Sequence, residues 1–194
     1  MTAVTGPDGR ARCPWAAGDL VPYHDDEWGV PLHGDRALYE KLTLEGFQSG
    51  LSWLIVLRKR PAFRAAFADF EPEAVARFGP DDVDRLLADA GIIRNRLKIE
   101  AAIDNARAVA ALRERDGDGA LDALVWSFQP AAAAEHVRPE GLGDVPASTS
   151  ASKALAKALK REGLRFVGPT TVYALMQSAG LVDDHVDGCW RARP

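Results

Sequence analysis

Residues 158–186, ALKREGLRFVGPTTVYALMQSAGLVDDHV, decide the fold class of this chain. An apolar helical pattern ends at a glycine, and a second one begins after Gly168 at Pro169, a residue that suits the first turn of a helix. The stretch therefore predicts two helices joined by a tight turn and followed by an acidic turn. Thr170 and Thr171 lie at the N-terminus of the second helix, where hydroxyl and free N–H groups can bind phosphate oxygens.

The helix before this turn carries basic side chains on one face. Lys153 and Lys157 are one helical turn apart, and Lys160 and Arg161 continue the same row. Most charged faces are only solvated, so a purely structural role is the alternative interpretation. Because the formal net charge of the chain is −4, a nucleic-acid partner would need such a local basic patch.

The rest of the chain also predicts helices. Strand patterns of period two are scarce, and the longest helical pattern covers residues 95–115. Pro61, Pro72 and Pro80 are each expected to open a short helix, and Asp35 to cap another. The Pro- and Gly-rich residues 129–149 are expected to cross the surface without regular structure.

We therefore predict an all-α fold in one domain, residues 1–194. Residues 1–11 are expected to form a loose arm, and residues 12–190 the folded unit, with room for two helical lobes around a cleft for DNA. The helical hairpin itself is expected at about residues 151–185.

Composition indicates an ordinary globular protein, with 47% hydrophobic and 27% charged residues. No run approaches the roughly 18 apolar residues that span a bilayer, and the N-terminal segment lacks the apolar core of a secretory signal. We expect a cytoplasmic monomer with no membrane partner and no obligate protein partner. Because the cytosol keeps thiols reduced, Cys13 and Cys189 are not expected to form a disulfide.

The segment LEGFQSGLSW, residues 44–53, places a carboxylate on an apolar helix face. Leu38, Leu42 and Glu45 follow helical spacing, so the face that buries the leucines also points the glutamate inward. A buried carboxylate needs compensating donors or a cation. One interpretation pairs Glu45 with an arginine, and the other leaves it for a cationic or hydrogen-bond-donating ligand.

Three aromatic residues, Tyr23, Trp28 and Trp53, lie in the two segments on either side of Glu45. Single aromatic residues most often pack in a core. Here they cluster with polar neighbours, and flat π-faces around one carboxylate suit a flat, positively charged base.

A metal site is indicated by two Cys and His pairs near the ends of the chain. Two thiolates and two imidazoles make the closed tetrahedral set that zinc favours. Two unrelated buried cysteines and two surface histidines are the alternative. His33 and His136 lack such partners and are left out of the set, which is Cys13, His24, His185 and Cys189.

Together, several motifs resemble the DNA-3-methyladenine glycosylase I family of the helix-hairpin-helix DNA glycosylase superfamily. The resemblance covers nearly the whole chain, from about Arg12 to Cys189. The motifs are CPW (13–15), YHDDEWGVP (23–31), LEGFQSGLSW (44–53), AGIIRNR (90–96), STSASKALAKALK (148–160) and GLVDDHVDGC (180–189).

The resemblance implies an enzyme that flips 3-methyladenine out of alkylated double-stranded DNA and hydrolyses its N-glycosidic bond, leaving an abasic site. It is expected to be monofunctional, because no lysine follows the hairpin turn where bifunctional relatives place their nucleophile. Glu45 is the expected catalytic and base-contacting residue. Gln48 is a second polar contact, and the pocket is lined by Tyr23, Trp28 and Trp53.

The resemblance also implies DNA contacts and a metal ion. Leu51 is expected to fill the gap that the flipped base leaves. The expected backbone contacts are Lys153, Lys157, Gly168, Thr170 and Thr171. One structural zinc ion is expected to tie the two ends of the chain through Cys13, His24, His185 and Cys189.

Two other functions are considered. A non-catalytic, zinc-stabilised DNA-binding module would have no use for a base pocket at Glu45. A zinc hydrolase would need an open coordination position, which four protein ligands do not leave. Asp183 stands where many helix-hairpin-helix glycosylases carry a catalytic aspartate, but the methyladenine family does not depend on an acid there, so its role stays open.

Overall fold

Nine α-helices are found in the part of the chain that the computed structural model describes, residues 2–131 and 137–193. None of these helices is long and apolar enough to cross a membrane. The predicted all-α class is confirmed. The helices are α1 (Val21–Asp26), α2 (Asp35–Gln48), α3 (Trp53–Ala66), α4 (Pro72–Ala76), α5 (Pro80–Ala88), α6 (Arg96–Asp116), α7 (Ala120–Trp126), α8 (Ser150–Arg161) and α9 (Pro169–Ser178).

The N-terminal segment is a small β-hairpin, so the prediction of a loose arm is wrong for residues 4–11. Strand β1 (Val4–Thr5) pairs antiparallel with β2 (Ala11–Arg12). The Arg12 guanidinium holds the turn through Asp8 and also bonds Asp25 of α1, with Nε 2.9 Å from Oδ1. The buried Arg12 therefore ties this hairpin to α1.

Helix α2 lies at the centre of the core, in contact with α3, α6, α7 and α9. Its Leu38 and Leu42 are buried with Ile99 and Ile103 of α6, as helical spacing predicts. Asn95 begins α6 as its cap, accepting a hydrogen bond from the Lys98 N–H at 3.2 Å. Because α2 is covered on several sides, residues on its inner face are shielded from water.

Helix α3 continues through Pro61, which was expected to open a new helix. The fixed φ of proline agrees with a helix, and its missing N–H removes one hydrogen bond. Val56 and Phe63, on either side of Pro61, are both buried on one helix face. Burial of that continuous face explains why the helix is not interrupted.

Asp35 is the first residue of α2, and not its cap, which is Gly34. Its side chain is buried and accepts a hydrogen bond from Arg113 Nε at 2.8 Å. Its carboxylate also accepts the backbone N–H groups of Gly119 and Asp122. Asp35 therefore ties α2 to the turn between α6 and α7.

The two helices predicted near the C-terminus are α8 and α9, which pack against each other. Thr149 caps α8, accepting from the Ser152 N–H at 3.1 Å. After α9, Gly180 has φ +79°, and a Cβ there would lie 2.8 Å from backbone atoms of residues 29–31. This close approach brings the C-terminal turn against the segment that carries Trp28.

Candidate functional site

A cavity of about 380 Å³ opens between α1, α2, the start of α3 and the end of α9. The structure brings together all five residues that the sequence assigned to a pocket. They line this cavity, and they are Tyr23, Trp28, Glu45, Gln48 and Trp53.

Glu45 is buried in the wall of the cavity, with 5% of its surface exposed. Its Oε1 accepts a hydrogen bond from Ser178 Oγ at 3.1 Å. Burial raises the pKa of Glu45 to about 7, while the charge of Lys41 and the hydrogen bond from Ser178 oppose that rise. The partner of Glu45 is thus a serine with a lysine nearby, and not the arginine of the alternative interpretation.

Aromatic rings form the other walls. The rings of Tyr23 and Trp53 lie 5.4 Å apart between centroids at an interplanar angle of 44°. Trp15 meets Trp28 edge to face at 5.1 Å. The cavity therefore offers flat π-faces next to one carboxylate, an arrangement that suits a flat, cationic or hydrogen-bond-donating ring.

Several wall residues were missed from the sequence. Leu142 and Val145 are half-buried and line the cavity, whereas Gly143 and Asp144 between them are exposed, as predicted for a segment that crosses the surface. Trp15 also lines it, and its signal was its place in the CPW motif. Leu142 and Val145 gave no signal, because their segment has no periodic pattern.

The adjacent acids Asp183 and Asp184 point to different places. Asp184 lines the cavity and is 3% exposed, and its Oδ2 accepts from Tyr173 Oη at 2.7 Å and Gln177 Nε2 at 2.6 Å. Asp183 does not line the cavity and bonds Arg138 Nη2 at 3.1 Å and the Arg193 N–H at 2.8 Å. The sequence singled out Asp183, whereas the acid in the cavity wall is its neighbour.

The four predicted metal ligands form a buried cluster whose ligand atoms all lie within 4.8 Å of one another. Cys189 Sγ lies 3.4 Å from His24 Nε2 and 3.5 Å from His185 Nδ1, and Cys13 Sγ lies 3.6 Å from the same Nδ1. Zinc bound tetrahedrally, at about 2.3 Å from sulfur and about 2.0 Å from nitrogen, separates such atoms by roughly 3.5 Å. The residues therefore fit a zinc ion.

A second layer of contacts orients this cluster. His24 Nδ1 lies 2.8 Å from Asp25 Oδ1, which leaves Nε2 facing the cysteines. The Arg12 guanidinium next to Asp25 holds the pKa of that carboxyl well below its usual range. The ring of Trp28 meets His185 edge to face at 4.6 Å, so a wall of the cavity packs directly on the cluster.

The remaining histidines do not join the cluster. His33 is exposed, stacks on Trp126 and has Nδ1 3.1 Å from Asp122 Oδ1. His136 lies outside the described residues.

The predicted DNA contacts lie on two parts of the surface. Leu51 is 40% exposed between α2 and α3, beside Ser49, whose carbonyl accepts from Lys98 Nζ at 2.6 Å. Lys153, Lys157 and Thr170 are exposed, and Gly168 and Thr171 are half-buried. Among the described residues, the row Lys153, Lys157, Lys160 and Arg161 makes no ion pair.

Comparisons with known proteins agree with this arrangement. A family model described as methyladenine glycosylase matches residues 15–192. DNA-3-methyladenine glycosylase 1 of Escherichia coli (strain K12) is 49% identical over 183 residues, which cover 92% of this chain and 95% of the relative.

Solved structures are similar over most of their length. A crystal structure of 3-methyladenine DNA glycosylase I has a TM-score of 0.86 and 48% identity, covering 94% of this chain and all of that one. A Staphylococcus aureus 3-methyladenine DNA glycosylase I, solved to explain 3-methyladenine recognition, has a TM-score of 0.85 and 34% identity. That match covers 94% of this chain and 97% of the other.

Proposed function

The chain belongs to the methyladenine glycosylase family, and we propose from this premise that its cavity of about 380 Å³ holds the base during excision. The enzyme is a base-excision repair glycosylase that removes 3-methyladenine from DNA. The alternative of a non-catalytic DNA-binding module is therefore wrong. The observation that carries the proposal is a buried carboxylate, Glu45, within an aromatic cavity.

Recognition in this cavity depends on charge and shape. A 3-methyladenine nucleotide carries positive charge on its ring, so Glu45 attracts it and accepts its hydrogen bonds, while Tyr23, Trp28 and Trp53 surround its faces. Gln48 adds a polar contact. The base reaches the cavity by flipping out of the duplex, which costs least where a lesion weakens pairing.

The chemistry needs little acid catalysis, because the alkylated base is already a good leaving group. As the N-glycosidic bond breaks, positive charge develops on the sugar, and the carboxylate of Glu45 stabilises it. Asp184, in the same cavity wall, adds a second carboxylate. Water completes hydrolysis and leaves an abasic site, with no strand cleavage.

DNA is held by the helical hairpin and the loop before α3. Gly168, Thr170 and Thr171 present the N-terminus of α9 to phosphate oxygens. Lys153 and Lys157 supply positive charge beside it, and Leu51 fills the gap left by the flipped base.

Cys13, His24, His185 and Cys189 would hold one zinc ion, whose role would be structural. Four protein ligands would leave no open coordination position, so the ion would crosslink the two ends of the chain. Through Trp28, which packs on His185, the crosslink holds one wall of the cavity.

Base release tests the proposed function directly. The purified protein is incubated with methylated double-stranded DNA, and the released bases are separated by chromatography. We expect 3-methyladenine in the supernatant and an equal number of abasic sites in the DNA, with neither product from unmethylated DNA. Release of no 3-methyladenine would overturn the proposal.

A further inference from the structure

Lys41 is a buried lysine that the excision chemistry described above does not use. It lies one helical turn before Glu45 on α2 and is 8% exposed. Lysine is almost never fully buried without a partner, because desolvating an ammonium group is costly. An apolar side chain would fill this position in α2 at lower cost.

We propose that Lys41 is a positioning residue for excision, whose ammonium group, together with the Ser178 hydroxyl, holds Glu45 as a negative acceptor facing the base. This inference rests on the proposed function of the Glu45 cavity. It extends that function to two residues behind the cavity wall.

The contacts of Lys41 place its charge behind the base cavity. Its Nζ donates to Tyr23 Oη at 3.3 Å and lies 5.0 Å from the Tyr23 ring centroid and 5.6 Å from that of Trp53. Among the described residues it forms no ion pair within 4.0 Å, so its attraction for Glu45 acts through the low-dielectric interior in which both side chains are buried.

Ser178 fixes one oxygen of the carboxylate. It is buried, and its Oγ lies 3.1 Å from Glu45 Oε1. No hydrogen bond to Oε2 is found among the described residues, so this oxygen is available as the acceptor for the base. The serine thus sets the rotation of the carboxylate about its last bond.

Lys41 and Ser178 act from behind the wall. Neither lines the base cavity, but both line a second cavity of about 210 Å³ on the other side of α2. They form the partition between the two spaces and do not touch the base, so their effect passes through Glu45 and Tyr23.

The charges around Lys41 and Glu45 favour an electrostatic interaction between these two side chains. Burial lowers the pKa of Lys41, whereas the charges of Glu45, Glu27 and Glu40 oppose that fall and the charge of Arg60 adds to it. Burial raises the pKa of Glu45, which Lys41 opposes more than Ser178 does. Without Lys41 the carboxylate therefore takes up a proton at higher pH.

The test is the pH profile of single-turnover base release by Lys41→Met, a substitution that keeps length and removes charge. We expect the higher pKa of Glu45 in this variant to lower release roughly tenfold at about pH 6 and less than twofold at about pH 9. DNA affinity stays unchanged. Lys41→Arg restores the wild-type profile, and Ser178→Ala shifts it in the same direction by less.

Lys59→Met is the matched control, because the Lys59 ammonium bonds the carbonyls of Ala90 and Gly91. Its profile matches that of the wild type. A Lys41→Met profile that is unshifted, or lowered equally at every pH, overturns the inference.

A second readout needs no activity. The carboxyl ¹³C signal of Glu45, assigned by its loss in Glu45→Gln, is titrated in wild-type protein and in Lys41→Met. If Lys41→Met does not fold, Lys41→Gln takes its place. An unchanged midpoint overturns the role of Lys41, whereas a wild-type enzyme that releases no 3-methyladenine overturns the proposed function alone.

Discussion

At the scale of single residues, Glu45 is buried and, in the proposed complex with DNA, contacts the flipped base. We expect Glu45→Gln to lower 3-methyladenine release roughly 100-fold, because an amide cannot stabilise the developing positive charge as a carboxylate does. Release under single-turnover conditions measures this. Glu40→Gln is the control, since Glu40 lies on the same helix and bonds Arg64 at 2.8 Å. Full activity of Glu45→Gln would show that a group other than Glu45 stabilises the developing positive charge.

The same burial predicts how stability depends on pH. Because the pKa of Glu45 rises from 4.5 to about 7 on folding, the folded state binds the proton more tightly than the unfolded chain. The contribution of Glu45 to stability is therefore largest below about pH 4.5 and is lost as pH rises through 7, a change of at most roughly 3 kcal/mol. The Glu45→Gln variant has no carboxyl group at this position, so its stability does not fall in this way as pH rises.

Urea unfolding at about pH 5 and about pH 8 checks that sign. The free energy of unfolding of Glu45→Gln, relative to wild type, should rise between the two. A difference that stays constant, or that falls, would mean that Glu45 is not a buried acid with a raised pKa.

Much of the cavity wall could be predicted from the sequence, because the patterns that indicate its residues lie within short segments of the chain. Helical spacing placed Glu45 beside Leu38 and Leu42, a pattern that one helix face expresses in full. Asp184 could not be separated from Asp183, because neighbouring residues in a turn have no periodic rule that assigns their direction. Lys41 gave no signal either, since its burial depends on the packing of α2 against several other helices.

At the scale of elements, the start of α9 makes a prediction that separates fold from function. Gly168 has φ −68°, which any residue adopts, and a Cβ there meets no atom within 4 Å. Folding therefore does not require glycine at position 168. A phosphate that approaches the backbone would require it, because the Cβ of any other residue would stand in its way. We expect Gly168→Ala to keep its stability within roughly 0.5 kcal/mol and to bind DNA roughly tenfold more weakly.

Gly79→Ala is the matched control. Gly79 also caps a helix and precedes a proline, and a Cβ there meets no atom within 4 Å. Its DNA affinity should equal that of the wild type, as measured by fluorescence anisotropy at fixed salt. Equal affinity in Gly168→Ala would remove the hairpin turn from the DNA interface.

Elements whose signals are local were predicted well, and those that depend on tertiary packing were not. Pro72 opens α4 and Pro80 opens α5, as predicted, because the effect of proline acts within one turn. Pro61 carries the same local signal, yet α3 runs through it, since Val56 and Phe63 bury one continuous face. Burial outweighed the local preference.

At the scale of the whole molecule, the metal cluster joins the two ends of the chain and the base cavity. Cys13 and His24 come from the N-terminal segment, and His185 and Cys189 from the C-terminal turn. The residue types, two cysteines and two histidines, suggested a zinc site. The family resemblance was needed to prefer it to the alternative of unrelated cysteines and histidines. The packing of Trp28 on His185 was not visible in the sequence, because it depends on the approach of Gly180 to residues 29–31.

Loss of the metal should therefore act on stability and on excision together. We expect Cys189→Ser to bind far less zinc than the wild type, to lose several kcal/mol of stability and to release 3-methyladenine more slowly, because Trp28 no longer has a fixed support. Elemental analysis, urea unfolding and base release measure the three effects, and a chelator should reproduce them in wild-type protein. His33→Ala, a histidine outside the cluster, should keep its zinc. A Cys189→Ser protein that keeps one zinc ion and wild-type stability would show that these four residues do not bind a structural metal.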